Sequence, residues 1–314
     1  MSLTGVRPRV LVFAYSEVGV ACLEALLHCG AHVVAVFTHE DDSEENIWFR
    51  SVTEIAGRHN LSVSTRSPSS QEGQIWVEAL RPDIIFSFYY RRLIPADVLA
   101  LVTKGAYNMH GSLLPKLRGR ACINWAVILG EQTTGATLHV MTDEVDRGDI
   151  VDQKSVDILY EDTAVDVFRK VALAAADIVE RTFPLIAKGN ISLTTQDESQ
   201  ASFYGRRTPA DGQIDWSQSA LAVYNLVRGV THPFPGAFTY LGERKIFIWS
   251  VLPQEGSAST PGEIMSLSPL VVSTGCGLVR IITLQVEGED ELEAAVFAEK
   301  ALRVGDRFDA HPEI

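Results

Sequence analysis

The first 37 residues contain two largely apolar runs of strand length, separated by one segment whose apolar residues have helical spacing. Arg9–Tyr15 and Val33–Phe37 are the two runs, and apolar side chains recur at helical intervals between Ser16 and Gly30. This pattern predicts a buried strand, a helix capped by Ser16 and a second buried strand. Strands joined by a helix in this way pair in parallel, so the chain is predicted to open as a three-layer α/β domain.

The following segments continue this pattern of strands and helices. Ile84–Tyr90 is the most strand-like run in the chain and is predicted to be a central strand. Thr163 and Asp166 have the form of a capping box, which predicts a long helix that runs to Gly189 with a kink near Pro184. Shorter elements are predicted as helices at 49–58 and 74–80 and strands at 62–65, 135–141 and 150–154.

A polar segment, residues 196–202, is predicted to cross between two domains. We place the domains at residues 1–203 and 204–314. The second contains a predicted helix from Ser219 to Gly229 and a small β domain. Its short strands are predicted at 245–250, 262–265, 270–273 and 278–284.

Charge and composition exclude several classes of protein. The 314 residues carry a net charge of -13, so there is no overall basic surface for a nucleic-acid backbone or an anionic membrane. Four scattered cysteines fit reduced thiols without disulfides, and no apolar run reaches the length of a membrane span. The first residues lack the pattern of a secretory signal, which favours a cytoplasmic protein. A Gly-x-Gly-x-x-Gly turn is absent after the first strand, which weighs against a dinucleotide there.

The segment Asn108–Arg120 is the candidate active site. Asn108 and His110 are one residue apart, so on an extended segment their side chains point to the same face. Proline and glycine punctuation follows, and an acidic candidate, Asp146, lies downstream. Alone, Asn-x-His would be interpreted as a turn with a hydrogen-bonded histidine. Together these features favour a reactive pocket.

The motif Asn-x-His-x-Ser-Leu-Leu-Pro, followed by Arg-Gly, resembles the signature of formyltransferases that use 10-formyltetrahydrofolate. The resemblance covers nearly the whole chain. It implies a Rossmann-like domain with a parallel sheet, followed by a smaller OB-like β-barrel domain. It also implies that Asn108, His110 and Asp146 are catalytic and that 10-formyltetrahydrofolate is the formyl donor. No metal is expected, because His39, His139 and His232 lack ligand spacing and are interpreted as structural.

The runs at 37–39 and 89–95 look most like the formyltransferase half of a bifunctional enzyme of lipid A modification and polymyxin resistance. That enzyme acts on UDP-4-amino-4-deoxy-L-arabinose. The resemblance implies folate contacts from Arg92, Leu93, Ile94, Arg120, Thr142, Asp143, Glu144 and Val145, although acidic side chains in a loop are also explained by solvation. For the nucleotide-linked amino sugar we predict contacts from Tyr204, Arg206 and Arg228, and the two arginines are equally explained by surface salt bridges.

In this hypothesis Asn108 stabilises the oxyanion, and His110 moves protons, with Asp146 raising its pKa. Whether His110 acts first as base or as acid stays open, as do the sugar, the nucleotide and the oligomeric state. Two alternatives remain, a methionyl-tRNA formyltransferase and a non-enzymatic folate or nucleotide sensor. Two departures are also evident. Cys122 stands where the signature loop usually has proline, and no NAD-dependent decarboxylase domain follows.

Overall fold

The computed structural model describes residues 7–41 and 46–309. The first residues, which lack the pattern of a secretory signal, and residues 42–45 lie outside these ranges. Contacts divide the chain into two compact units. The first comprises residues up to Cys122, Thr133–Asp157 and Val167–Gly205, and the second comprises Ile123–Gln132, Ile158–Asp166 and the chain from Arg206. The single boundary after residue 203 remains our proposal for the domains.

A seven-stranded sheet forms the centre of the first unit. Its strands are β1 (Arg9–Ala14), β2 (His32–Phe37), β3 (Val63–Ser64), β4 (Ile84–Phe88), β5 (Ala106–His110), β7 (Thr133–Val140) and β8 (Ile150–Asp157). The order is β3-β2-β1-β4-β5-β7-β8, with β7 and β8 antiparallel to their neighbours and the other pairs parallel. The prediction of a central strand at 84–90 is confirmed, because β4 is the fourth of seven and wholly buried. Its carboxyl end, next to that of β5, faces the candidate site.

Helices α1 (Ser16–His28), α2 (Val52–Arg58), α3 (Gln71–Leu80) and α4 (Ala96–Leu99) connect these strands. The prediction that Ser16 caps α1 is wrong. Tyr15 holds the cap position, and Ser16 is the first helical residue with φ +60°. Helix α2 begins three residues later than predicted, because the Ser51 hydroxyl accepts a hydrogen bond from the amide of Glu54 and so fixes its start.

The long predicted helix is present as α6 (Ala164–Lys188). Its capping box is confirmed, since Asp166 accepts hydrogen bonds from the amide and hydroxyl of Thr163. Pro184 lies within the helix and lacks an amide hydrogen, which leaves the carbonyl of Glu180 without its helical donor. The Cys29 thiol lies 3.7 Å from that carbonyl and supplies a donor.

The second unit contains α7 (Ala220–Val230) and an antiparallel sheet in the order β10-β11-β14-β13-β12, with β15 paired to β14. Segment 306–309 hydrogen-bonds both to Tyr240 on β10 and to Gly262 and Ile264 at β12, and so bridges the two edges of the sheet. This closure agrees with the OB-like expectation. The bounds are β10 (Ala237–Leu241), β11 (Arg244–Gln254), β12 (Ile264–Leu267), β13 (Leu270–Ser273), β14 (Leu278–Val286), β15 (Glu291–Glu293) and α8 (Ala294–Ala301).

Three of these elements, β10, β15 and α8, were not predicted from the sequence, nor was α5 (Cys122–Ile128). Two short strands complete the structure, β6 (Arg118–Gly119) and β9 (Phe203–Tyr204), which pair with each other in parallel. Within the described ranges, none of the helices has the length and apolar character needed to cross a membrane.

Candidate active site

The candidate site forms where β5 and β7 pair in the first unit's sheet. Asn108 and His110 project to one face of β5, as predicted. The antiparallel register sets Asn108 directly opposite His139 on β7. The Nδ2 atom of Asn108 lies 3.1 Å from Nε2 of His139, and Nδ1 of His139 lies 2.9 Å from the carbonyl oxygen of Val140. Sequence reasoning missed His139 as part of the site, because only the strand register reveals its position.

Asp146 lies on the loop between β7 and β8, and its carboxylate approaches the same group of side chains. Its Oδ1 lies 3.6 Å from Nδ1 of His110 and 3.6 Å from Nε2 of His139. Its Oδ2 accepts a hydrogen bond of 2.9 Å from the amide of Gly119. The structure therefore brings the carboxamide, imidazole and carboxylate predicted from sequence into one small volume, together with a second imidazole.

His110 is buried and held by the loop that follows it. Its Nε2 donates a 2.8 Å hydrogen bond to the carbonyl of Leu117, which leaves Nδ1 facing Asp146. Burial lowers the pKa of His110 and outweighs the opposing effect of the Asp146 carboxylate. Asp146 does raise the pKa of His110, as expected, but this effect is smaller than the effect of burial. The imidazole is neutral near pH 7.

Asp146 is ionised under the same conditions. Burial by itself raises its pKa, but His110, His139 and the amide of Gly119 lower it to about 2. The backbone of Asp146 has φ +57°, a left-handed conformation that non-glycine residues seldom adopt. Such a conformation persists only where the surrounding structure enforces it.

A buried polar network holds the backbone of Asp146 in this conformation. The Nε2 of Gln196 donates to the carbonyls of Asp146 and Gly148, at 2.9 and 2.8 Å. The guanidinium of Arg118 donates to Oε1 of Gln196 and pairs with Glu198. Arg118 is thus part of the support for Asp146. Gln196 was missed because its segment was interpreted only as a domain crossing.

The predicted folate residues after β4 differ in exposure. Leu93 is 71% exposed, whereas Ile94 is buried in the core beside Val98. Burial in the core leaves little of the Ile94 side chain for the predicted apolar contact with folate. Arg92 is exposed, with Nη1 3.4 Å from the carbonyl of Thr65. His39 accepts a hydrogen bond of 2.9 Å from the amide of Arg91, which anchors this segment and agrees with a structural role for His39.

The remaining predicted folate residues lie on exposed loops of the same unit. Val145, next to Asp146, is 50% exposed. The Thr142 hydroxyl donates to the carbonyl of Glu144, and Glu144 also pairs with Arg147, so two of these side chains have local partners. Asp143 and Arg120 are also exposed, and Nη2 of Arg120 lies 3.4 Å from the carbonyl of Arg91.

The three predicted substrate residues fall in different environments. In the first unit, the carbonyl of Tyr204 accepts a hydrogen bond from the amide of Arg120. Arg206 is exposed. Arg228 is buried in the second unit, where Nε donates to Asn225 and Nη1 donates to the carbonyls of Leu159 and Asp162. These contacts give Arg228 a structural role, and we no longer place it in the substrate site.

A cavity of about 370 Å³ lies elsewhere in the first unit and is lined by Tyr15, Ser16, His39, Phe49 and Thr65 among others. Its lining includes none of the catalytic candidates. The converging functional groups, rather than this cavity, mark the candidate site. Among residues 7–41 and 46–309, no group of three His, Cys, Asp or Glu side chains is arranged to hold a metal ion.

Comparison with known proteins gives two family matches and a set of similar folds. A profile described as formyl transferase matches residues 8–182, and a profile of the formyl transferase C-terminal domain matches residues 206–302.

Three solved structures illustrate the likeness in fold. The N-formyltransferase from Helicobacter canadensis, in complex with folinic acid and dTDP-3-aminofucose, is 18% identical with a TM-score of 0.69, over 88% of this chain and 99% of that one. WlaRD, a sugar 3N-formyl transferase solved with dTDP and 5-N-formyl-THF, is 16% identical with a TM-score of 0.66, over 91% and 100%. A variant of HypX from Aquifex aeolicus is 21% identical with a TM-score of 0.63, over 95% of this chain and 49% of HypX. The chain thus spans about half the length of HypX.

Proposed function

Because the chain belongs to the formyl transferase family, we propose that it transfers the formyl group of 10-formyltetrahydrofolate to the amine of a nucleotide-linked amino sugar. The observation that carries this proposal is the chain of contacts that links the three side chains: Asn108 lies 3.1 Å from His139, and Asp146 lies 3.6 Å from both His139 and His110. Formyl transfer needs an oxyanion donor, a proton acceptor and a charge that stabilises the protonated acceptor. These three side chains supply one group each.

Asn108 is the proposed oxyanion donor. Its carboxamide nitrogen carries two hydrogens, and one of them points to His139. The second is available to the formyl oxygen as negative charge develops on it. A preorganised donor of this kind lowers the barrier by about 3 kcal/mol.

His110 is the proposed proton carrier. Because its imidazole is neutral, we propose that it acts first as a base. The lowered pKa keeps the ring neutral, and the hydrogen bond to Leu117 leaves Nδ1 as the atom with a free lone pair. Nδ1 takes a proton as the sugar nitrogen bonds to the formyl carbon. The same proton then passes to the folate nitrogen as its bond to that carbon breaks, so the products are the formamide and tetrahydrofolate.

Asp146 stabilises the charged intermediate state of this cycle. Its carboxylate stays ionised because its pKa is about 2, and it lies 3.6 Å from the Nδ1 that receives the proton. The attraction between carboxylate and imidazolium is present only after the proton transfer, which is when it lowers the barrier.

Two exposed apolar side chains support a donor site beside these groups. Leu93 and Val145 are among the exposed large hydrophobic residues, and each belongs to a segment that the family resemblance assigns to folate. A pterin ring is flat and would cover such surface. Arg92, Arg120, Thr142 and Asp143 remain proposed contacts to the donor.

For the acceptor we propose UDP-4-amino-4-deoxy-L-arabinose, on the resemblance of the runs at 37–39 and 89–95. Tyr204 and Arg206 remain proposed substrate contacts. The likeness to solved structures that hold dTDP or dTDP-3-aminofucose supports the broader class of nucleotide-linked amino sugars.

The test is a mass-spectrometric assay with 10-formyltetrahydrofolate and a panel of UDP- and dTDP-linked 3-amino and 4-amino sugars. A gain of one formyl group on the UDP-4-amino-pentose, faster than on the other sugars, is the expected result. Formylation of a dTDP-sugar alone would overturn the choice of nucleotide. Formylation of no sugar, together with formylation of charged initiator tRNA, would overturn the proposed function.

A further inference from the structure

We infer that His139 is a positioning residue that selects the orientation of the Asn108 carboxamide. The inference rests on the proposed function, because it concerns the donor that would bind the formyl oxygen. It does not require His139 to touch either substrate.

The hydrogen bonds of His139 define its tautomer. Nδ1 lies 2.9 Å from the carbonyl oxygen of Val140, and a carbonyl only accepts, so Nδ1 carries the hydrogen. In the neutral ring Nε2 is then an acceptor. Nε2 lies 3.1 Å from Nδ2 of Asn108, which only donates. Both bonds are satisfied by one arrangement of hydrogens. The competing arrangement places a hydrogen on Nε2 and directs it to Oδ1 of Asp146, but that distance is 3.6 Å against 3.1 Å for Asn108, so the shorter contact favours Nε2 as the acceptor.

This arrangement decides which way the carboxamide faces. Turning the Asn108 amide by half a rotation would bring its oxygen against the lone pair of Nε2, and the hydrogen bond would be replaced by repulsion between two acceptors. His139 thus holds the nitrogen of Asn108 in place. The second hydrogen on that nitrogen, about 120° from the first, is the one left for an oxyanion.

The two side chains are held rigidly enough for this role. Asn108 and His139 are directly opposed residues of the β5–β7 ladder, and His139 is only 2% exposed. No other side-chain hydrogen bond of Asn108 occurs within the described part of the chain, so its orientation depends on His139. A site on paired strands keeps its geometry better than one on a loop.

The kinetic test compares His139→Leu, which has no acceptor, with His139→Gln, which retains one, each alone and combined with Asn108→Ala. Leu138→Val is the matched control, since it removes volume from the neighbouring buried position of the same strand. We expect His139→Leu to lower kcat by about ten- to a hundredfold, with both KM values within about twofold. The kcat of His139→Gln should remain within about fivefold of the wild-type value, and the kcat of Leu138→Val should be close to the wild-type value.

In the Asn108→Ala background there is no carboxamide to orient, so His139→Leu should lower kcat by less than about threefold. The same fold loss in both backgrounds would overturn the inference, because His139 would then act independently of Asn108. Wild-type kcat in His139→Leu, or equal losses in the Gln and Leu variants, would overturn it as well.

A second measurement does not depend on turnover. The ¹⁵N spectrum of histidine-labelled wild-type protein, without substrates, should show His139 protonated at Nδ1 and bare at Nε2, as confirmed by the signal that disappears in His139→Gln. A hydrogen on Nε2 would refute the inference. If the wild type formylates no amino sugar but shows this tautomer, the proposed function fails while the orientation of Asn108 stands.

Discussion

Replacing Asp146 with asparagine should remove a defined amount of stability that depends on pH. Folding lowers the pKa of the Asp146 carboxyl from its ordinary 3.8 to about 2, although burial alone would raise it. This lowering corresponds to about 2 kcal/mol, since each tenfold change in proton affinity is worth about 1.4 kcal/mol. Asparagine has nearly the same shape and can still accept the hydrogen bond from the amide of Gly119. The loss should therefore come mainly from the charge.

The sign of the pH dependence follows from proton binding. Between pH 3.8 and about 2 the unfolded chain binds a proton at Asp146 that the folded chain does not. The stabilisation by this carboxylate is thus complete above the unfolded pKa and is lost as the pH falls through the folded pKa. The free energy of unfolding of the wild type should exceed that of Asp146→Asn by about 2 kcal/mol at pH 6, and the two free energies should converge near pH 2.

Urea unfolding between pH 6 and pH 2 measures this difference. Tryptophan fluorescence and circular dichroism should be followed together, because coincident transitions are needed before a free energy of unfolding is assigned. Asp143→Asn is the control, since Asp143 is exposed on the same loop and its replacement should change stability by less than about 0.5 kcal/mol. A difference between wild type and Asp146→Asn that stays constant from pH 6 to pH 2 would refute the electrostatic reasoning.

Three further predictions concern the same centre. Asn108→Ala should lower kcat by about a hundred- to a thousandfold with little change in KM, as steady-state formyl transfer would measure; an equal rise in KM at constant kcat would contradict the oxyanion role. The acid limb of kcat/KM should have its midpoint below 6.5, because burial lowers the pKa of His110, and a midpoint above 6.5 in the pH–rate profile would contradict this. Gln196→Leu should lower the free energy of unfolding by about 1–3 kcal/mol, because the carbonyls of Asp146 and Gly148 lose their buried donor; chemical denaturation measures this, and an unchanged midpoint would show that water replaces the glutamine.

Local pattern was sufficient for most of the first unit. The strand at 84–88 and the helix after Thr163 were predicted because apolar periodicity and capping chemistry act over a few residues. The start of α1 was not, because Tyr15 takes the cap position that a serine normally prefers, with Ser16 in a left-handed conformation. Strands β10 and β15 are short, and α8 begins directly after β15, so their own sequences carry weak signals.

By itself, the sequence determined that Asn108 and His110 share a face, since side chains two apart on a strand always do. It also marked Asp146, through the family motif. Only the tertiary structure decided that His139 stands opposite Asn108, that Gln196 holds the carbonyl of Asp146, and that the buried His110 is neutral. Strand register, long-range hydrogen bonds and desolvation arise from residues far apart in the chain, so no local pattern encodes them.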